Sequence, residues 1–295
     1  MICILLFHEK FMPGPFFESI RHWGHLGVDV FLFLSGYGIA HSLNRNSLGK
    51  YYYNRIVRMF PSCLMWGTMA LLVSLFIDRT FPPLRYYVLT PLCLDKWFIY
   101  AIVLFYAISP FLFRLAKCNA FFFLTAAYCI SLFNGCYKLY EWWPLNWTLD
   151  RFPVYCVGMA MSFLKDSKID WKILLVSGLF LFHLVFKIIP GPQVSLYLFF
   201  IPTIPILFIL SHYVKIALSS ISIAKFVEWM GVNSLEIYLT HELVFREISK
   251  LEMNSYLQFL LAIVLTFVLA YTTGKILPLL QRQLSKILCR FVLVK

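Results

Sequence analysis

A chain of 295 residues that is 61% hydrophobic and 14% charged is not a typical soluble protein, in which about a quarter of the residues are charged. Apolar stretches of about 17–25 residues recur along it, which is the length that a helix needs to cross a bilayer. Because these stretches are continuous and do not alternate with polar residues, they predict transmembrane helices and not a β-barrel.

The basic residues indicate a membrane and not a nucleic acid, although the formal net charge is +12. They form short clusters between apolar stretches, as the positive-inside bias and anionic lipid headgroups favour, and they form no long patch with interleaved aromatics. The eight cysteines include no CxxC pair. We therefore expect no nucleic-acid partner, no metal site and no disulfide framework.

The apolar pattern predicts an all-α, polytopic helix bundle that forms a single domain over residues 1–295. Ten helices are expected, at 1–12, 27–43, 57–77, 97–114, 118–136, 151–164, 172–189, 195–213, 231–246 and 255–279. The first stretch is short for a span and lacks the basic start and cleavage site of a signal peptide.

The distribution of basic residues predicts that both termini are cytoplasmic. If the loop at 44–56 is cytoplasmic, sixteen of the 26 lysines and arginines fall on that side. The outer loops then contain aromatic and turn-forming residues at 12–17, 81–83 and 142–147. These aromatics are interpreted either as an interfacial belt or as a platform on which sugars stack.

Ionisable residues inside apolar stretches are costly, so they are the candidates for function. His8 lies near the predicted outer end of the first helix, where a neutral imidazole can act as a general base or bond to a neighbouring helix. His183 and His212 are interpreted as structural. The other candidates are Asp29, Arg55, Arg58, Glu236, His241 and Glu242.

The segment from His22 to Gly36 is the most informative part of the sequence. It closely resembles the GxxGVDxFFxxSG signature of the membrane-bound acyltransferase family 3, which includes enzymes that O-acetylate bacterial surface polysaccharides. Leu32 replaces the second phenylalanine of the signature. The matching residues are Gly24, Gly27, Val28, Asp29, Phe31, Ser35 and Gly36.

The segment from Tyr51 to Pro61 resembles the RxxR motif and following proline of the same family. Arg55 and Arg58 are three residues apart and so share a helix face. Two cytoplasmic arginines are either topology anchors or ligands of phosphates, and the resemblance implies that they bind an acyl-coenzyme A. Weaker similarity continues at 97–110, 151–158 and 233–241.

The resemblance also implies a catalytic role for His8, which matches the histidine of the family's first helix. A basic residue about ten positions before that histidine is usual in the family, and here it would precede Met1. We therefore expect that the N-terminus is truncated.

The predicted function is transfer of an acyl group, acetyl by resemblance, from cytoplasmic acetyl-CoA or another acyl-CoA across a bacterial inner membrane. The acceptor would be a hydroxyl of a surface glycan or lipid-linked sugar. His8 would take its proton or form an acyl-histidine, and Asp29 or a second histidine would orient His8.

Two alternatives remain from the residues alone. A transporter or flippase for a lipid-linked sugar would use the same charges to line a pathway, although the paired interrupted helices of transporters are not found. An inactive, truncated homologue is the other alternative.

Overall fold

The computed structural model describes residues 2–8, 14, 17, 25–137, 143–163 and 221–292. Within these ranges every regular element is helical and no strand occurs, which confirms the predicted all-α class. The elements are α1 (Ile2–His8), α2 (His25–Arg45), α3 (Leu48–Leu72), a π-helical turn (Val73–Ile77), α4 (Tyr86–Leu89), α5 (Trp97–Cys118), α6 (Ala120–Tyr137), α7 (Trp143–Met161), α8 (Ile221–Val232), α9 (Ser234–Ile248) and α10 (Ser255–Val292).

Three of the described helical segments are long and apolar enough to cross a membrane, at Leu48–Ile77, Trp97–Cys118 and Ser255–Ile287. The first consists of α3 and the π-helical turn that continues it. The predicted helices at 172–189 and 195–213, with His183 and His212, lie outside the described residues. The prediction of ten crossing helices is thus supported for part of the chain.

Several helix boundaries differ from those predicted. α3 begins at Leu48 and not at residue 57, so that Arg55 and Arg58 lie well inside the helix. α7 begins at Trp143 and not at residue 151, which places Trp147 in a helix and not in a loop. Helix α8 was not predicted, because the apolar criterion assigned only its last residues to the following helix.

The chain divides into two compact units, each built from separate stretches of sequence. The first unit comprises Met1–Gly27, Tyr52–Lys96 and Ile221–Lys295, and the second comprises Val28–Tyr51 and Trp97–Ser220. The single-domain assignment of residues 1–295 stays a prediction.

Helix α9 forms the centre of the first unit. Most of its residues from Leu235 to Ile248 are buried, since it packs on α1 through Leu5 and on α10 through Ala262 and Ala270. Its buried polar side chains, Glu236, Thr240 and His241, therefore face protein and not lipid.

In the second unit, α2 and α7 approach each other closely at two glycines. A Cβ on Gly36 would overlap the carbonyl oxygen of Tyr155, and a Cβ on Gly158 would overlap the carbonyl oxygen of Phe33. Small residues allow such close helix packing in membranes. Tyr155 also stacks on Phe105 of α5, with ring centroids 4.7 Å apart.

Candidate functional site

Two histidines from opposite ends of the sequence meet in the first unit. His8 is the last residue of α1 and His241 lies in the middle of α9. Their ring centroids are 4.8 Å apart and the ring planes are inclined at 64°. His241 is 1% exposed, whereas His8 is partly exposed, so a substrate can reach His8 more easily.

The hydrogen bond of His241 determines which of its nitrogens carries the proton. Nδ1 lies 2.6 Å from the carbonyl oxygen of Tyr238. A carbonyl oxygen can only accept, so Nδ1 donates, and the neutral ring has its lone pair at Nε2. Nε2 is buried and has no hydrogen-bond partner among the residues that the structure describes. An unsatisfied buried nitrogen is costly, which suggests that a substrate group or the neighbouring imidazole uses it.

Aromatic side chains of α9 enclose His241. Tyr238 and Phe245 have ring centroids 5.3 and 6.2 Å from the imidazole, one turn before and one turn after it. The spacings of three and four residues place all three rings on one side of the helix. These rings help to shield His241, which is 1% exposed, from water.

Arg58 of the RxxR motif is held by a buried carboxylate of α9. Its Nη2 lies 3.4 Å from Oε2 of Glu236 and also donates to the carbonyl oxygen of Val232. Ser62 donates to the other carboxylate oxygen of Glu236 over 3.2 Å. The Arg58 side chain is still 43% exposed, so part of its guanidinium can reach a ligand. Arg55 is half-buried on the same helix.

Ion pairs follow from the middle of α9 to just beyond its C-terminal end. Glu242 pairs with Lys96, which directly precedes α5, and Arg246 lies 3.4 Å from Asp78. Lys250 also pairs with Asp78 just beyond the π-helical turn. The hydrogen bond from Lys250 lowers the pKa of Asp78 and raises that of Lys250. The end of α9 is thereby joined electrostatically to the end of the α3 span.

Asp29 lies in the second unit and is buried beside Arg151. The Asp29 Oδ1 to Arg151 Nε distance is 3.4 Å. The Arg151 guanidinium also lies over the rings of Trp97 and Trp147, 4.7 and 4.9 Å from their centroids. Cation–π contacts and an opposite charge are what a buried guanidinium requires. The predicted orientation of His8 by Asp29 stays a prediction.

Sequence reasoning singled out His8, His241, Glu236 and Glu242 separately but did not pair them. Arg151 was noted only within a weak similarity, although a basic residue inside an apolar stretch was itself a signal. In the described part of the chain, no three His, Cys, Asp or Glu side chains group as a metal site would require.

Comparison with known proteins gives one match. A family profile described as an acyltransferase domain matches residues 1–275, a range that contains both histidines, the Asp29–Arg151 pair and the two arginines of α3. No curated protein and no solved structure matches this chain. Since the profile covers almost the whole sequence, the chain belongs to acyltransferase family 3.

Proposed function

We propose that this membrane protein transfers an acetyl group from cytoplasmic acetyl-CoA to a hydroxyl of a surface polysaccharide or lipid-linked sugar, with His8 as the general base. Membership of the family supports acyl transfer as the reaction. The observation that carries the assignment of the base is the contact between His8 and His241. The setting proposed is a bacterial inner membrane with both termini in the cytoplasm.

The chemistry requires a base near a nucleophilic hydroxyl. His8 takes the hydroxyl proton while the oxygen attacks the thioester carbonyl carbon. The carbon–sulfur bond then breaks, and the coenzyme A thiolate accepts the proton from His8, so no proton is gained or lost. General acid–base catalysis of this kind contributes about 10²–10⁴-fold in rate.

His241 is proposed to position His8 and to stabilise its protonated form. Its Nδ1 is committed to the Tyr238 carbonyl, so only Nε2 can accept a hydrogen bond. A protonated His8 has N–H groups at both ring nitrogens and can donate one of them to that Nε2. A third group that orients the base is the usual arrangement in such sites. Asp29 remains a candidate for the same task on the family resemblance.

The donor is proposed to bind through Arg55 and Arg58. A guanidinium has five N–H donors, and Glu236 occupies only part of those on Arg58. The same carboxylate fixes the direction of the side chain before a ligand arrives, which reduces the entropy lost on binding. Planar guanidinium groups suit the phosphates of coenzyme A.

The test is the O-acetyl content of surface glycans in cells that express the wild type, His8→Ala or His241→Asn. We expect both variants to lose most of the O-acetyl NMR signal at equal abundance in the membrane. Asparagine retains an N–H close to the position of Nδ1, so His241→Asn preserves the bond to Tyr238 but removes Nε2.

His41→Ala is the matched control, because His41 is a partly exposed histidine of α2 that packs against Tyr37. Its O-acetyl signal should equal that of the wild type. Normal O-acetylation in His8→Ala would contradict the proposal and would favour transport of a lipid-linked sugar without chemistry.

A further inference from the structure

A cavity of about 240 Å³ with polar and apolar walls lies in the first unit beside the C-terminal half of α9. Its walls come from the end of α3, the π-helical turn, the connection that leads to α5, and α9. The lining includes Ser74, Phe81, Asp95, Lys96, Glu242 and Arg246. None of the lining residues takes part in the proton transfer proposed for the two histidines.

The cavity contains hydrogen-bonding groups of both charges. Asp95 accepts a hydrogen bond from Thr90 at Oδ2 over 3.2 Å, while its Oδ1 is buried with no hydrogen-bond partner among the described residues. Lys96 and Glu242 pair with each other across the cavity wall. Arg246 reaches Ser74 over 3.4 Å. Donors and acceptors therefore converge on a small volume.

An apolar ring borders the same space. Phe81 is 80% exposed, although an aromatic side chain normally buries most of its surface, and Pro82 follows it. This is one of the aromatic segments that the sequence assigned to an outer loop. A flat apolar face beside paired donors and acceptors is complementary to a sugar ring, which has apolar C–H faces and a rim of hydroxyls.

We propose that this cavity binds one sugar ring of the acceptor, a hexose whose hydroxyls are recognised by Asp95 and Lys96 and whose face packs on Phe81. The proposal rests on the proposed function. The volume lies below the range of about 300–1,000 Å³ for drug-sized ligands, so it admits a single ring. The carboxylates of Asp95 and Glu242 are balanced by Lys96 and Arg246, so the lining has no net charge, which favours a neutral sugar.

The position along α9 links the cavity to the histidine pair. Glu242 directly follows His241, and adjacent residues of a helix differ in height by about 1.5 Å. A sugar held beside Glu242 and Lys96 would thus present its hydroxyls at the level of the proposed base. The cavity would select the acceptor, and the histidines would act on it.

The experiment is saturation-transfer NMR on the full chain in nanodiscs, with methyl glucoside, methyl galactoside and methyl mannoside as probes. We expect at least one probe to bind the wild type. Asp95→Asn should weaken that binding about tenfold or more, since a hydrogen bond to a charged group is lost. Glu252→Gln, which changes an exposed carboxylate outside the cavity, should bind as the wild type does.

Phe81→Ala provides a second variant, because the exposed ring can be removed without disturbing the fold. It should also weaken binding, and its melting temperature should equal that of Glu252→Gln. Equal probe affinity in wild type, Asp95→Asn and Phe81→Ala, or no probe binding to the wild type, would overturn the sugar site.

The two proposals fail in different ways. His8→Ala should bind the probe normally and yet transfer no acetyl group, because His8 is not among the lining residues. If it still transfers acetyl groups, the proposed function is wrong whatever the probes do. If it loses transfer while the cavity variants bind normally, only the sugar site is wrong.

Discussion

At the scale of single residues, Arg58 has a structural partner and a proposed ligand. The carboxylate of Glu236 is 1% exposed and is neutralised by Arg58, with a further hydrogen bond from Ser62. Removing the guanidinium therefore has two consequences, an unpaired buried carboxylate and a weaker donor site. A double-mutant cycle separates them.

We expect Arg58→Met to lower stability by about 1–3 kcal/mol, the usual cost of leaving a buried polar group unsatisfied. Glu236→Gln combined with Arg58→Met should recover most of that loss, because the remaining amide carries no charge. Affinity for acetyl-CoA should stay reduced in both variants. The measurements are the melting temperature in detergent and the KM for acetyl-CoA.

Arg114→Met is the control, since Arg114 is an exposed arginine at the end of α5 and its removal alters the net charge equally. It should change neither quantity. Recovery of donor affinity in the double variant would mean that Arg58 serves only to neutralise Glu236.

The sequence predicted which residues were candidates and could not predict their partners. Charge inside an apolar stretch is visible in the sequence, and so His8, Asp29, Arg58 and His241 were identified. Hydropathy contains no information about which helices lie side by side. The contacts of His8 with His241 and of Arg58 with Glu236 therefore required the fold.

At the scale of elements, the length of the apolar stretches predicted that helices are present better than it predicted where they begin and end. Residues 48–56 of α3 are mostly polar or aromatic, which predicts a loop, but they continue the helix beyond the apolar stretch. In α7, Pro144 lies in the first turn, where the missing N–H of proline is tolerated. α10 likewise continues to Val292 through a polar segment. The length of an apolar stretch indicates how much of a helix can lie in the hydrocarbon core of a bilayer. It does not indicate how far the backbone hydrogen bonds continue the helix beyond that core.

The close crossing of α2 and α7 yields a matched pair of glycine variants. Gly36→Ala should destabilise the protein strongly, because its Cβ would overlap the backbone of Tyr155 and the helices would have to separate. Gly38→Ala lies two residues along the same helix, where a Cβ meets no atom within 4 Å. It should be neutral or stabilise by up to about 1 kcal/mol, since alanine favours helix over glycine.

Melting temperatures in detergent compare the two variants directly. If Gly36→Ala and Gly38→Ala melt at the same temperature, α2 and α7 do not pack as closely as described. The contrast also explains one part of the family signature, because the glycine that follows Ser35 makes the contact and Gly38 does not.

At the scale of the whole molecule, acetyl transfer across a membrane requires donor and acceptor sites on opposite sides. Within the first unit, α9 has Glu236 and its partner Arg58 near one end and the ion pairs of Arg246 and Lys250 at the other. Its fifteen residues extend about 22 Å, and His241 lies between these ends. A donor bound at Arg58 and an acceptor near Glu242 could thus approach the histidines from opposite directions.

This arrangement makes the orientation of the chain testable with cysteine labelling. Cys118 is an exposed thiol at the end of α5, next to Lys117, on the side predicted to be cytoplasmic. A membrane-impermeant maleimide should label it in inverted vesicles and not in right-side-out vesicles. Cys118→Ser should abolish that signal, which separates it from the other thiols.

Glu252→Cys in the Cys118→Ser background should show the opposite pattern, because position 252 lies in the exposed connection between α9 and α10. Labelling of both positions from the same side would require an even number of crossings between them, whereas the five predicted spans place them on opposite sides. If Cys118 is labelled from outside the cell and position 252 from the cytoplasm, the orientation is the reverse of the predicted one. Arg55 and Arg58 would then lie outside the cell, where acetyl-CoA is not supplied. That result would remove the donor site from the proposed function, whereas the predicted pattern joins a cytoplasmic donor to an external acceptor through α9.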